Sequence, residues 1–318
     1  MRRTVKRTIC AVFASAILLT SAASPQATKN LQAIATLKFY AAAQGNSFPV
    51  GTSPVSVIFD GSNVWVANGP SRTISKLRAS DGAVVGTFAT PDFATSMAFD
   101  GANVWVANPH QHSVTKLRAA DGVTLGTFQV GLNPGGGVAF DGASIWVTNT
   151  FDNTITKLRA TDGFNEGTFP TGQGSKGVAF DGTNIWVANS IDDTVTKLRA
   201  SSGTNLATFP TEHGPRAVAF DGASIWVANS FSNNVTKLRA SDGLNQGTFA
   251  TGNGPVALAF DGTTMWVATF TDNAVTRLRV TNGQNMGVFP TGKGPDGIAF
   301  DGANIWTSNQ VDSTASKL

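Results

Sequence analysis

The chain reads as an all-β protein, a seven-bladed β-propeller of four-stranded antiparallel blades. Three observations predict it. The tripeptide Phe-Asp-Gly recurs seven times, spaced by 40 residues with one step of 41. A Trp follows six residues after each of those Phe residues, and each unit divides at turn residues into four short β-rich runs.

The beat is carried by Phe59, Phe99, Phe140, Phe180, Phe220, Phe260 and Phe300, and by Trp65, Trp105, Trp146, Trp186, Trp226, Trp266 and Trp306, which are all the tryptophans of the protein. A second series, Phe48, Phe88, Phe128, Phe169, Phe209, Phe249 and Phe289, keeps the same period, so these aromatics read as core. Between Arg216 and Thr251 the four runs are AVAF, SIWVAN, NVTKLR and GTFA. Asp-Gly after the first run and Ser-Asp-Gly or a variant after the third suit tight hairpins. No run has the length or period of a helix. A parallel β-helix would have shorter coils and no chain-reversing turns.

Closure follows from counting strands. The last unit has only three strands before Leu318, and the segment from Asn46 to Val50, with Phe48 in the aromatic register, supplies the fourth. A ring closed by mixed termini leaves no free edge. Thr36, Leu37 and Lys38 also sit in third-strand register and compete with Ser316 to Leu318 for that place.

Residues 1–23 have the layout of a secretory signal peptide: Arg2, Arg3, Lys6 and Arg7, an apolar run from Ile9 to about Thr20, then Ser21, Ala22 and Ala23. That run is shorter than the ~20 residues a spanning helix needs, so cleavage and no membrane insertion are expected. The expected organisation is a leader over 1–23, a flexible segment over 24–35 and the propeller over 36–318, secreted to a periplasmic or extracellular location as a monomer. The lone Cys10 lies in the leader, so the mature chain has no disulfide. The C-terminal Ser-Lys-Leu matches a peroxisomal address, but the same register repeats Ser-Lys-Leu or Thr-Lys-Leu in five earlier units. Without the four basic residues of the leader, 19 basic groups face 20 acidic ones. Near-neutral charge argues against nucleic acid as a partner.

Because the units are so alike, charges locked to the beat separate from those that break it. Thirteen basic residues occupy the Lys-Leu-Arg register of the third strand and eleven acidic residues the two repeating turns; both sets are expected to form a ring of solvated ion pairs at one end of the blades. The charges that break the beat fall in two kinds of connection. Between the fourth strand and the next blade lie Asp92, Lys176, Glu212, Arg216, Lys293 and Asp296, with His213; between the second and third strands lie Arg72, Asp152, Asp192, Asp193, Asp272 and Asp312, with His110 and His112. In an up-and-down blade both emerge on the same side, and loops on a rigid scaffold are where binding is usually placed.

The expected ligand-binding set is therefore Lys176, Glu212, His213, Arg216, Lys293, Asp296, His110 and His112. The sharpest departure is Thr211-Glu212-His213-Gly214-Pro215-Arg216, where a carboxylate, an imidazole and a guanidinium could polarise or clamp a substrate; Glu212 and His213 are the catalytic candidates. No metal is expected. His110 and His112 invite zinc, but His213 enters three blades away, and side-chain to backbone bonds at the hairpin tips account for the aspartates without calcium. Phe151, Ile191, Phe231 and Val311, with Phe270 one place earlier, form either a recognition rim or packing on the neighbouring blade. The Asn that ends the second strand in six units reads as a structural cap.

The segment GVAFDGTNIWVANSIDDTVTKLRASSG, Gly177 to Gly203, resembles the YVTN and NHL families of bacterial propeller repeats, and IWVAN stands where they place an aromatic-Val-x-Asn strand. The likeness, over residues 36–318, implies an extracellular or sensor-type binding module for an unknown protein, glycan or small molecule on the loop face, without a cofactor. The chain is also similar to the virginiamycin B lyase group, seven-bladed enzymes whose His and Glu residues, with magnesium, open a cyclic ester. It keeps their Asp-Gly and Trp but has Val-Ala-Asn for their Phe-Thr-Glu, and only Glu212 and His213 match their acid and base. Three roles follow: a binding propeller, a streptogramin-type carbon-oxygen lyase requiring magnesium, and a structural protein of the cell envelope.

Overall fold

A computed structural model describes residues 46–318. The leader over 1–23, the segment over 24–35 and the competing strand at Thr36 to Lys38 lie outside the described residues. Within them the chain forms seven four-stranded antiparallel sheets. Blade 1 spans Pro54–Ala89, blade 2 Met97–Gln129, blade 3 Val138–Pro170, blade 4 Ser175–Pro210, blade 5 Pro215–Ala250 and blade 6 Pro255–Pro290. Blade 7 takes its first three strands from Pro295–Phe300, Ile305–Asn309 and Thr314–Lys317, and its fourth from Asn46–Pro49. That strand pairs Phe48 with Ala315 and Pro49 with Thr314, which places Phe48 in the aromatic register and closes the ring.

The core lies between blades. Trp65 and Ile74 of blade 1 pack with Val104, Val106 and Leu117 of blade 2, and the pattern repeats around the ring. At the closure Trp306, Ala315 and Phe48 of blade 7 pack with Val57, Val64 and Leu77 of blade 1. Gly82 shows how tight the seam is. It turns with φ +73°, and a Cβ there would run into the Phe48 ring. Only glycine meets both demands.

Two repeated features differ from the expected ring of solvated ion pairs. The aspartate of each Phe-Asp-Gly is a structural acceptor: its carboxylate takes the Trp indole N–H of its own blade at 2.7–2.8 Å, as Asp60 does from Trp65 and Asp301 from Trp306. It also accepts the backbone N–H groups two and three residues on. The Lys of Lys-Leu-Arg lies over the Trp face, 4.9 Å from the ring centroid at Lys76 and Trp65, because the register pairs those residues across the second and third strands. Its ammonium then donates to the next blade, Lys76 Nζ to the Ala119 carbonyl at 2.7 Å. Equivalent links run from Lys116, Lys197, Lys237 and Lys317. A charge desolvated on an aromatic face and bonded to a carbonyl is a stronger tie than a surface ion pair. Only the Arg of that register behaves as expected, in exposed pairs such as Arg78 with Asp81 at 2.8 Å.

Candidate functional site

The first strands of the blades surround the axis, and their side chains make rings. Four residues before each Phe of Phe-Asp-Gly stand Val55, Thr95, Gly136, Lys176, Arg216, Val256 and Asp296, one per blade. All seven line a channel cavity of about 730 Å³. The next ring, Ser56, Ser96, Gly137, Gly177, Ala217, Ala257 and Gly297, is made of small residues because neighbouring first strands approach closely. A Cβ on Gly177 would lie 2.7 Å from Ala217 Cα, and one on Gly297 would lie 2.9 Å from Ser56 Cα. Below it comes an apolar ring that includes Val57, Val178 and Leu258. The cavity is thus apolar in depth and charged on one side of its mouth.

That charged side belongs to blades 4, 5 and 7. Arg216 Nη2 donates to Asp296 Oδ1 at 2.6 Å, bridging two blades and 80 residues of sequence. The Asp296 side chain is 8% exposed and the Arg216 side chain 46% exposed. This is the guanidinium's only hydrogen bond to a described residue, so its remaining donors face the cavity mouth and solvent. Burial, then the Arg216 charge, push the Lys176 ammonium down from its ordinary value, with Asp296 opposing. Burial pushes the Asp296 carboxyl up, against the pull of Arg216 and Lys176. With all three ionised the cluster carries one net positive charge in a poorly solvated place, which favours an anion.

Lys176, Arg216 and Asp296 were expected in loops between blades. They stand instead on first strands, Ser175–Phe180, Pro215–Phe220 and Pro295–Phe300. The strand run AVAF was read two residues too short, because Pro215 hides the strand start.

The other candidates do not join this cluster. Glu212 and Lys293 are exposed on incoming loops, and His213, also exposed, does not line the channel. His213 Nδ1 lies 2.9 Å from Asp193 Oδ2, and its ring packs on Phe231 at 5.2 Å between centroids. Asp193 also accepts the Gly214 N–H at 2.8 Å, the role that Asn153, Asn233 and Asn273 play in other blades. The Gly214 N–H, followed by the imidazole, holds the Asp193 carboxyl below its usual range, against the opposing effect of burial. The pair is a stitch between an incoming loop and a hairpin tip. His110, in a 3-10 turn over Pro109–Gln111, meets Asp92 through its backbone N–H at 2.6 Å and its ring at 3.1 Å. Burial pushes the Asp92 carboxyl up, but hydrogen bonds from Phe93 and His110 prevail and hold it low. His112 Nδ1 accepts the Asn133 N–H at 3.3 Å. The carboxylate, imidazole and guanidinium of residues 212–216 therefore turn to three different surroundings.

The two connection types do share one face, because they are bonded to each other. Asp152, Asp192, Asp272 and Asp312 at the hairpin tips accept the N–H groups of Leu132, Gln173, Asn253 and Lys293 from the incoming loops at 2.6–2.7 Å. The tips also leave Phe151, Ile191, Phe231 and Val311 between 63% and 72% exposed. Phe231 and Phe270 are functional candidates that the charge pattern passed over. Both line a second cavity of about 570 Å³ that shares Arg216, Ser230, Phe231, Val256 and Asp296 with the channel. Two channel hydroxyls are committed to backbone: Ser230 Oγ donates to the Pro255 carbonyl at 2.5 Å, Ser190 Oγ to Gly174 at 2.8 Å.

Among the described residues no group of three or more His, Cys, Asp or Glu could hold a metal ion. Two cations and one carboxylate already bound to a guanidinium do not make a donor set for the magnesium of the lyase resemblance. Among the same residues no helix is long and apolar enough to cross a membrane.

These features define a closed β-propeller with a cationic, carboxylate-braced channel mouth. No family model matches the chain, and no curated protein matches it in sequence. Solved structures similar to it include hydrazine synthase of Kuenenia stuttgartiensis and a streptogramin B lyase, each at TM-score 0.73 and 17% identity, covering 86% of this chain and 96% of the other. At that identity the likeness shows the propeller fold alone.

Proposed function

We propose that this is a secreted binding propeller whose channel mouth takes up a small anionic ligand, with Arg216 and Lys176 as the groups that hold the anion. One observation carries the reading. Two cations from neighbouring blades face one cavity, and the single carboxylate beside them engages one guanidinium nitrogen, leaving the planar fork available to a carboxylate or sulfonate. The leader at residues 1–23 supports export, and the IWVAN signature supports kinship with the YVTN and NHL repeats, whose general role as binding modules agrees with this reading. The lyase role has only the fold likeness in its favour: neither Glu212 nor His213 lines the cavity. The test is calorimetric titration of acetate and methanesulfonate into the mature chain, Arg216→Gln and Lys176→Gln. Binding by the parent, weakened at least about tenfold in each variant, supports the proposal. No anion binding, or binding that both variants retain in full, overturns it. Magnesium-dependent opening of a cyclic depsipeptide that survives Arg216→Gln would favour the lyase instead.

A further inference from the structure

The aromatic residues of the loop face are not equivalent, and the difference points at the ligand. In blades 3, 4, 5 and 7 the apolar tip residue follows a polar one, as in Thr150-Phe151, Ser190-Ile191, Ser230-Phe231 and Gln310-Val311. In blade 6 the order is reversed to Phe270-Thr271. One residue of shift puts the ring where Ser230 and Ser190 stand in blades 5 and 4 and takes it off the exposed tip. Phe270 is half-buried there, packed against the core between blades 6 and 7, whereas Phe231 is 71% exposed. The two rings line one cleft, and Arg216 and Asp296 stand in its wall. Gly254, with φ +66°, and Val256 complete the wall without filling it.

We infer that this cleft receives the apolar body of the ligand, so that the anion bound at the channel mouth is an amphipathic carboxylate of the aryl-alkyl type. This rests on the anion-binding reading above. A carboxylate on the free side of Arg216 has two places for the rest of the molecule, the channel and the cleft. Phe231 borders both, but only the cleft adds a second ring, Phe270, to the wall that holds the guanidinium. Apolar surface on the ligand would be removed from water between Phe231 and Phe270 without leaving the charge pair, and offset aromatic contact adds to the gain. The cleft, at about 570 Å³, accommodates a phenylalkyl group with room to spare.

The experiment compares 3-phenylpropanoate with propanoate by calorimetry on the mature chain and on Phe270→Ser. Serine occupies the equivalent position in blades 4 and 5, and a thermal melt confirms that the variant folds. The inference expects 3-phenylpropanoate to bind the parent at least about tenfold more tightly than propanoate, and that ratio to fall toward one in Phe270→Ser. Equal binding of the two acids by the parent would overturn the inference and leave anion recognition standing. A ratio unchanged by Phe270→Ser would also overturn it, by placing the phenyl group elsewhere. Binding of neither acid would overturn both readings.

Discussion

Replacing Glu212 by glycine is expected to stabilise the protein, although glycine is usually a costly residue. Where the incoming loop passes the Asn that ends the second strand, blades 3 and 4 carry Gly131 and Gly172. Their N–H groups donate to Asn149 Oδ1 and Asn189 Oδ1 at 3.0 Å. Neither has a left-handed φ; glycine is needed because a Cβ would stand 2.6 Å from Asn149 Cγ and 2.7 Å from Asn189 Cγ. Blade 5 has Glu212 at this position, and Asn229 Oδ1 is buried without a partner among the described residues. In blade 2 the position is Pro91, which has no N–H, and Asn108 Oδ1 is likewise unpaired. Blades 1 and 7 depart from the pattern: Gly51 is present and Asn68 Oδ1 is unpaired all the same, and the Gly292 N–H donates to Ser316 Oγ instead of Asn309. Satisfying a buried acceptor contributes about 1–3 kcal/mol, and the added backbone freedom of glycine costs about 0.5–1 kcal/mol. Glu212→Gly should therefore gain about 1 kcal/mol, a rise of roughly 2–4 °C in Tm for a chain of this size. Glu212→Ala keeps the Cβ and should melt with the parent. Differential scanning calorimetry of the three proteins decides it: equal Tm values for the glycine and alanine variants would refute the reasoning.

Further outcomes follow for the channel mouth, the blade ties and the repeating aspartates. Asp296→Asn should tighten methanesulfonate binding several-fold, because it removes the one carboxylate competing for Arg216. In the parent that affinity should rise as pH falls through the raised pKa of Asp296, Lys176 and Arg216 being the other charged groups lining the channel; a flat titration across that range would contradict it. Since the folded pKa of Asp296 lies above its unfolded value, the native state gains stability as pH falls through it, so Asp296→Asn should cost no stability at neutral pH. Lys76→Met should cost about 2 kcal/mol in urea unfolding through loss of the Ala119 bond and the Trp65 face, whereas Arg78→Ala, which breaks only an exposed pair, should cost less than about 0.5 kcal/mol. Similar costs would mean the lysines are not what ties the blades. Asp60, Asp100, Asp181 and Asp301 are held below the ordinary carboxylate value: burial opposes, but hydrogen bonds from Trp and backbone N–H groups prevail. Their stabilisation is present above about pH 4 and is lost as pH falls through the lowered values. Acid-induced unfolding should therefore begin only below about pH 4, and an onset near pH 6 by circular dichroism would disagree.

The ring was legible in the chain because its period is written in residues that cannot be elsewhere: a buried Trp six positions after each Phe, and Phe48 to finish a blade that lacks a fourth strand. The roles of the repeating charges were not legible. Composition and turn position made the Asp of Phe-Asp-Gly and the Lys of Lys-Leu-Arg look like solvated partners, while the cross-strand pairing of Trp65 with Lys76 sends one to the indole N–H and the other to the ring face. The site was half legible. Lys176, Arg216 and Asp296 stood out as charges off the beat, and counting back four residues from each repeat Phe would have placed them on one ring. Glu212 and His213 stood out as strongly but answer to local packing, since Asp193, which His213 meets, sits at a tip position that carries Asn in blades 3, 5 and 6. Phe270 left its trace only as a one-residue shift, and a shift has meaning only once the direction of each strand residue is known.

The most direct measurement is the anomalous difference map of a crystal of the protein soaked with 4-bromobenzenesulfonate. The account predicts one strong bromine peak in the cleft between Phe231 and Phe270, with the sulfonate on Arg216 and Lys176 at the channel mouth, and loss of that peak in Arg216→Gln. Bromine found only among the exposed arginines of the opposite face, or a peak in the cleft that persists without Arg216, would contradict it.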